Sequence, residues 1–260
     1  MFSVCILKTG TVSATGSARE RVRREVTAEI LDVARRHLGR DGPTALSLRS
    51  IARELGMAPS ALYRYFDGRD AILTALILDA YISLADHAER AAEIAGRDTD
   101  VADDLGRWPA VPRATRRWAL GHPHEWGLVF GSPVPGYEAP DDTVVPYARV
   151  AAALARPVLD AHARGALGLP EPPVLEAAGL EDSLAPVRDG LGPDLPVATV
   201  AALVDAWATL VGTISLEVFG HWRRTVLDPE VQFEVTIERL ACSLGLSSGA
   251  PSTRSGARPE

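Results

Sequence analysis

One stretch restricts what this chain can fold into more than any other: residues 46–77, LSLRSIARELGMAPSALYRYFDGRDAILTALI. It reads as a short helix, a tight turn, a second short helix and the opening of a long one. Leu48, Ile51, Ala52 and Leu55 recur at spacings of three and four, the stripe of a helix that buries one face. Ser47 stands where an N-cap hydroxyl can accept a free amide of the first turn, with Leu46 and Ile51 in the two positions of a hydrophobic staple. Gly56 follows the stripe, where a left-handed residue is wanted. After Met57-Ala58 comes Pro59, suited to a first helical position because its missing N–H costs nothing there. Leu62 and Phe66 then point one way and Ser60, Ala61 and Arg64 the other, until Asp67-Gly68 breaks the pattern.

The flanks are helical too. Val22, Val26, Ile30, Val33, Ala34 and Leu38 predict a helix over about 21–39, ended by Gly39 and Asp41-Gly42-Pro43. Ile72, Leu73, Leu76, Ala80 and Leu84 predict a long helix opening at Arg69. Further on, helices are expected over 114–121 and 123–130, meeting at His122-Pro123. A Pro- and Gly-rich loop (131–142), a helix over 144–164 and a broken connection (165–196) with one short helix near 174–178 follow. Two strong helices close the chain, 197–224 and one capped by Asp228-Pro229. The first is apolar on two sides, with Val200, Val204, Trp207, Val211, Ile214 and Val218 on one and Leu203 and Leu210 on the other. Such a helix must bury both sides, one on its own domain and one on a second copy, so a homodimer closed by a four-helix bundle is expected. No strand pattern is visible. The fold class read from these patterns is all-α: a three-helix N-terminal domain with a helix-turn-helix (19–68) and a larger helical domain (69–245). Aperiodic tails at 1–18 and 246–260 are expected to be disordered.

Charge divides the chain the same way. The net charge is −7, which argues against a nucleic-acid partner until its distribution is read. Residues 1–69 hold 12 Lys/Arg against 7 Asp/Glu, whereas residues 70–260 hold 15 against 27. A basic head on an acidic body is the asymmetry expected when one end meets phosphate. Hydrophobic residues at 47% and charged residues at 23% are the balance of an ordinary soluble protein. The apolar run Met1–Leu7 is too short for a secretory signal, and no stretch reads as a membrane span, so a cytoplasmic protein with no membrane partner is expected. Cys5 and Cys242 lie near opposite ends without a CxxC, which excludes a disulfide framework. No Gly-rich phosphate loop, GxSxG elbow or Cys/His nucleophile pattern occurs. His122-Pro123-His124-Glu125 is compact, but residues two apart on a helix do not share a face, so it reads as a helix start and not a metal site. Neither catalysis, metal nor cofactor is expected.

The 46–77 run, with its Leu62-Tyr63-x-Tyr65-Phe66 cluster and the basic residue opening the next long helix, resembles the DNA-binding core of the tetracycline-repressor (TetR) family. With the first helix the resemblance covers about residues 20–80. The segments 118–137 and 207–221 are similar to one branch of that family, named for a Trp-His-Gly signature in its C-terminal domain. Trp207 and Gly212 match it, and Val211 stands where His is expected; Ala58 stands where many relatives carry a capping Ser.

The resemblance implies a dimer on double-stranded operator DNA, carrying a helical domain that binds a small molecule. Arg49 and Arg64 are then expected to pair with guanine edges. Tyr63 and Tyr65 would reach phosphate, with Tyr65 equally readable as a structural residue. Ser60 and Ala61 allow close approach to bases, Arg69 would clamp phosphate, and Ser47 and Pro59 complete the DNA-binding set. Arg19, Arg21, Arg23 and Arg24 read either as a solvated charge run or as an arm for the minor groove. Trp118, His122, Trp126, Phe130, Tyr137 and Trp207 are the residues expected to hold a small apolar or aromatic ligand. A ligand-released repressor on a near-palindromic operator leads. An activator, a ligand-independent repressor, and more remotely a helical enzyme with a vestigial helix-turn-helix stay open.

Overall fold

The computed structural model describes residues 18–99, 103–168, 170 and 178–246. The expected tails and the expected short helix near 174–178 fall, but for edge residues, outside the described residues. Among the described residues there are eleven α-helices and no strand. They are α1 (Ala18–Asp41), α2 (Leu48–Glu54), α3 (Pro59–Leu62), α4 (Arg69–Asp98), α5 (Asp104–Arg107), α6 (Ala110–Gly121), α7 (Pro123–Phe130), α8 (Val144–Ala163), α9 (Leu180–Leu191), α10 (Val197–Val218) and α11 (Pro229–Ser243).

The chain forms two compact units that do not follow the division after residue 68 expected from the sequence. The first joins the residues up to Ser83 to Gly121–Tyr147; the second joins Leu84–Leu120 to the chain from Ala148 onward. In the first unit α1, α2, α3 and the start of α4 bury one shared cluster, built on Ile30, Leu38, Ile51, Leu62, Phe66 and Leu73. Leu128 of α7 and Val134 of the Pro/Gly-rich loop belong to that same cluster. The loop is held by apolar burial and by a 2.9 Å hydrogen bond between the hydroxyls of Tyr137 and Thr74.

In the second unit, Asp103 caps α5 by accepting from the Gly106 amide at 2.8 Å, and Trp108 donates its indole N–H to the Ile237 carbonyl of α11 at 2.8 Å. Arg116 makes a bidentate pair with Glu217, both bonds 2.8 Å, and its guanidinium lies over the Phe233 ring. Arg113 makes a second bidentate pair, with Glu234 at 2.9 and 2.6 Å. These pairs tie α6 to α10 and α11.

The helix expected to run to Arg224 stops at Val218. Gly220, at φ 75°, closes it: its N–H reaches the Glu217 carbonyl at 3.0 Å and the next N–H reaches that of Leu216 at 2.9 Å. The two apolar sides of α10 are real, but their membership differs from the periodicity reading. Val200, Leu203, Ala206, Leu210 and Ile214 form the buried side. Val204 and Leu216, with the C-capping Phe219, are left exposed. α4 and α10 are each long and apolar enough to cross a membrane on length and composition, contrary to the sequence expectation, yet both carry stripes buried inside the protein. α9 was not foreseen. It buries no residue fully and contains Pro186, so it offers no stripe to read.

Candidate nucleic-acid interface

The first unit builds a short exposed helix on a rigid seat. α2 ends in a Schellman motif: Gly56 adopts φ 65°, its N–H bonds the Arg53 carbonyl at 3.2 Å, and the Met57 N–H bonds that of Ala52 at 2.8 Å. Only a residue free to enter the left-handed region turns the chain this sharply. Pro59 then opens α3 at its first position, and neither Ala58 nor any other side chain caps it. Four residues without a cap have no stability of their own. Leu62, with no solvent exposure, and buried Phe66 fix α3 to the core.

Ser47 sits at the N-cap of α2 in extended backbone but makes no capping bond. Its carbonyl instead accepts the Ser50 hydroxyl at 2.8 Å. The staple is present, since Leu46 and Ile51 are both buried. A polar clamp that no sequence pattern announced pins α1 to α2. Buried His37 lies 2.7 Å from a Glu54 carboxylate oxygen through Nε2 and 3.3 Å from the Ser50 hydroxyl through Nδ1. Arg36 donates to Glu54 at 2.8 Å. The Arg36 and His37 contacts hold the Glu54 carboxyl below the usual carboxylate range.

On this seat Arg49, Pro59, Ser60, Tyr63 and Arg64 are exposed, and Ala61 and Tyr65 are half-buried. Tyr63 keeps 55% of its surface in solvent. Arg69 is committed within the fold: its guanidinium donates to the Pro43 carbonyl at 3.0 Å and lies 3.6 Å from Asp70. The Arg23 guanidinium lies 5.6 Å over the centre of the Tyr65 ring. Ala18, Arg19, Val22, Arg23, Arg64 and Tyr65 line a concavity of about 490 Å³.

The residues expected to meet a ligand do not form one group. His122, Trp126, Phe130 and Tyr137 belong to the first unit, Trp118 and Trp207 to the second. Trp126 is fully buried and its ring packs 4.3 Å from that of Phe130, which meets Tyr81 edge-on at 6.0 Å. None of the six lines the cavity of about 620 Å³ in the second unit. That cavity is lined by the small residues Ala92, Gly96, Ala152 and Ala153 and by Arg97, Arg107, Arg149 and Arg156 with Glu89, Glu93 and Asp160. Arg149 is held by Asp86 and Glu89 at 2.6 Å each, and Arg107 pairs with Asp160.

A short exposed helix, seated through a Gly turn on a buried three-helix core and carrying a basic surface, defines a helix-turn-helix DNA-binding protein. The model for bacterial regulatory proteins of the tetR family matches residues 30–76, and that for the tetracyclin repressor-like C-terminal domain matches residues 108–240. An HTH-type transcriptional regulator of Mycobacterium bovis is 39% identical over 232 residues, 87% of this chain and 95% of the relative. The crystal structure of a regulatory protein 37% identical superposes with a TM-score of 0.68, over 86% of this chain and 98% of that one. A Rhodococcus sp. RHA1 protein of unknown function, 25% identical, gives 0.58 over 86% and 95%. The chain belongs to the TetR family of transcriptional regulators: it is an all-α regulator of transcription with an N-terminal DNA-binding domain, not an enzyme.

Proposed function

We propose that the protein is a repressor that binds a near-palindromic operator as a homodimer and is released by a small molecule. The outward surface of α2, α3 and their flanking turns carries the reading: Ser47, Arg49, Pro59, Ser60, Ala61, Tyr63 and Arg64 form the DNA-contacting residues, with Ser60, Ala61 and Arg49 nearest the bases, and half-buried Tyr65 and Arg69 brace them from within the fold. The second apolar side of α10 supports the dimer. Val204, Leu216 and Phe219, with Val231 of α11, expose apolar surface that a second copy would bury, and a two-fold dimer pairs with two half-sites one helical turn apart. The 620 Å³ cavity is of ligand size, which supports a sensing role for the second unit. Its lining joins ion-paired side chains to small apolar residues, a different surface from the aromatic one expected from the tryptophans.

Three experiments test this. Selection of bound duplexes from a random pool should enrich an inverted repeat, and sedimentation should give a dimer that Leu216→Glu converts to monomer. A compound that raises the melting temperature should weaken operator binding by the same factor by which operator weakens the compound. A stable wild-type monomer at micromolar concentration, or stabilising compounds that all leave DNA affinity unchanged, would remove the dimer or the switch respectively.

A further inference from the structure

We infer that Arg19, Arg23 and Arg64 form a cradle for one backbone phosphate of bound DNA, and that Tyr65 is a positioning residue whose ring holds the Arg23 guanidinium in that cradle. This rests on the DNA-contacting surface proposed above and assigns roles within it.

The geometry comes first. Arg19, Val22 and Arg23 share one face of α1, at spacings of three and four, and that face meets the end of α3 at Arg64 and Tyr65. Three arginines thus border one open concavity. Their charges are not neutralised: among the described residues no carboxylate pairs with Arg19, Arg23 or Arg64. Elsewhere on α1 the opposite holds, since Arg35, Arg36 and Arg40 each meet a carboxylate at 2.8 Å or less. Three like charges around one hollow repel one another until an anion joins them. A phosphodiester suits it, because guanidinium forks match two non-bridging oxygens and keep their charge at any working pH.

Position decides the source of that phosphate. Arg64 and Tyr65 directly follow α3 and its exposed Ser60 and Tyr63. When a short helix enters the major groove, the strand at the groove's edge passes beside the helix end, which is where the cradle opens. Arg64 is thereby turned from a base reader into a contact blind to sequence.

Tyr65 does its work through its face. It is half-buried and packed against the core cluster, which fixes the ring plane. Arg23 sits over that plane at 5.6 Å, and a cation over an aromatic face is held there by the ring quadrupole. The ring restricts the long Arg23 side chain before DNA arrives, lowering the entropy lost on binding. The hydroxyl is not needed for this.

The test is fluorescence anisotropy of the full-length protein with a labelled duplex of about 30 base pairs, of selected and of unrelated sequence, over about 50–200 mM salt. Each of Arg19→Ala, Arg23→Ala and Arg64→Ala should lower the slope of log affinity against log salt by about one unit, alike on both duplexes. Binding at about 0.1 M salt should weaken about three- to tenfold. Tyr65→Phe should match wild type. Tyr65→Leu should match Arg23→Ala, and combining the two should add nothing, as expected of residues acting as one unit. If Tyr65→Leu fails to fold by circular dichroism, Tyr65→Phe and Arg23→Ala decide the matter alone. An unchanged slope in Arg23→Ala overturns the cradle. Weakened binding in Tyr65→Phe returns the contact to the hydroxyl, and a loss in Arg64→Ala confined to the selected duplex returns Arg64 to base reading. Calorimetric binding of inorganic phosphate alone would make the hollow a free-anion site and overturn the DNA assignment. Wild-type protein that binds neither duplex would instead sink the DNA-contacting surface itself.

Discussion

Leu62 and Tyr63 are neighbours on the same turn, and the structure gives them opposite duties. Leu62 has no exposed surface and holds α3 to the core of the first unit, whereas Tyr63 is 55% exposed. Leu62→Ala removes three buried carbons, about 2.4 kcal/mol at about 0.8 kcal/mol each. The hollow left behind brings the cost to about 3–5 kcal/mol, because a packed site relaxes only in part. Since α3 is four residues long and has no capping side chain, no local stability compensates. Such a loss is a large part of the whole stability of a domain, about 5–15 kcal/mol. Tyr63→Ala should stay within about 0.5 kcal/mol of wild type in stability and still weaken DNA binding, for it removes a surface contact and no packing. Urea unfolding followed by circular dichroism gives the first quantity, and anisotropy with operator DNA on the folded protein gives the second. If Tyr63→Ala destabilises as much as Leu62→Ala, or if Leu62→Ala costs less than about 1 kcal/mol, α3 is not seated through Leu62.

Three further outcomes are expected. Glu217→Gln leaves Arg116, whose side chain is only 14% exposed, without its charged partner; unfolding free energy should fall by about 1–3 kcal/mol, and a fall within error would make the pair ornamental. Gly131→Ala should be more damaging than its place at a helix end suggests, since an added Cβ would lie 2.2 Å from the Gly127 carbonyl oxygen; a Tm equal to wild type would contradict that backbone path. Acid stability provides the third. Arg36 and then His37 hold Glu54 below its ordinary 4.5, and Arg113 does so for Glu234. The unfolded chain therefore binds more protons than the folded one below about 4.5, so these contributions are whole above that pH and are lost as pH falls through the lower folded values. Glu54→Gln should flatten the acid limb of urea midpoint against pH, and an unaltered limb would count against the clamp.

The sequence by itself determined the helix-turn-helix, because everything that makes it is local. The Leu48–Leu55 stripe, Gly56 in a left-handed turn and Pro59 at a helix start each act within a few residues, and each stands where the spacing placed it. The same held for α7, opened by Pro123, and for α11, whose Asp228 side chain caps the Glu230 and Val231 amides. Tertiary structure alone decided the rest. Periodicity showed that α10 has two apolar sides but not which residues share a side, since Val200 and Ile214 are placed by the elements packed on them and not by their own turn. Nothing near Leu128 or Val134 indicated burial in the same cluster as Ile51 and Leu73, and that burial moved residues 121–147 into the first unit. Arg23 read first as part of a solvated charge run; only the fold sets its guanidinium over Tyr65. Caps, turns and stripes are written in short-range spacing; which distant surfaces exclude water together is settled only when the whole chain has packed.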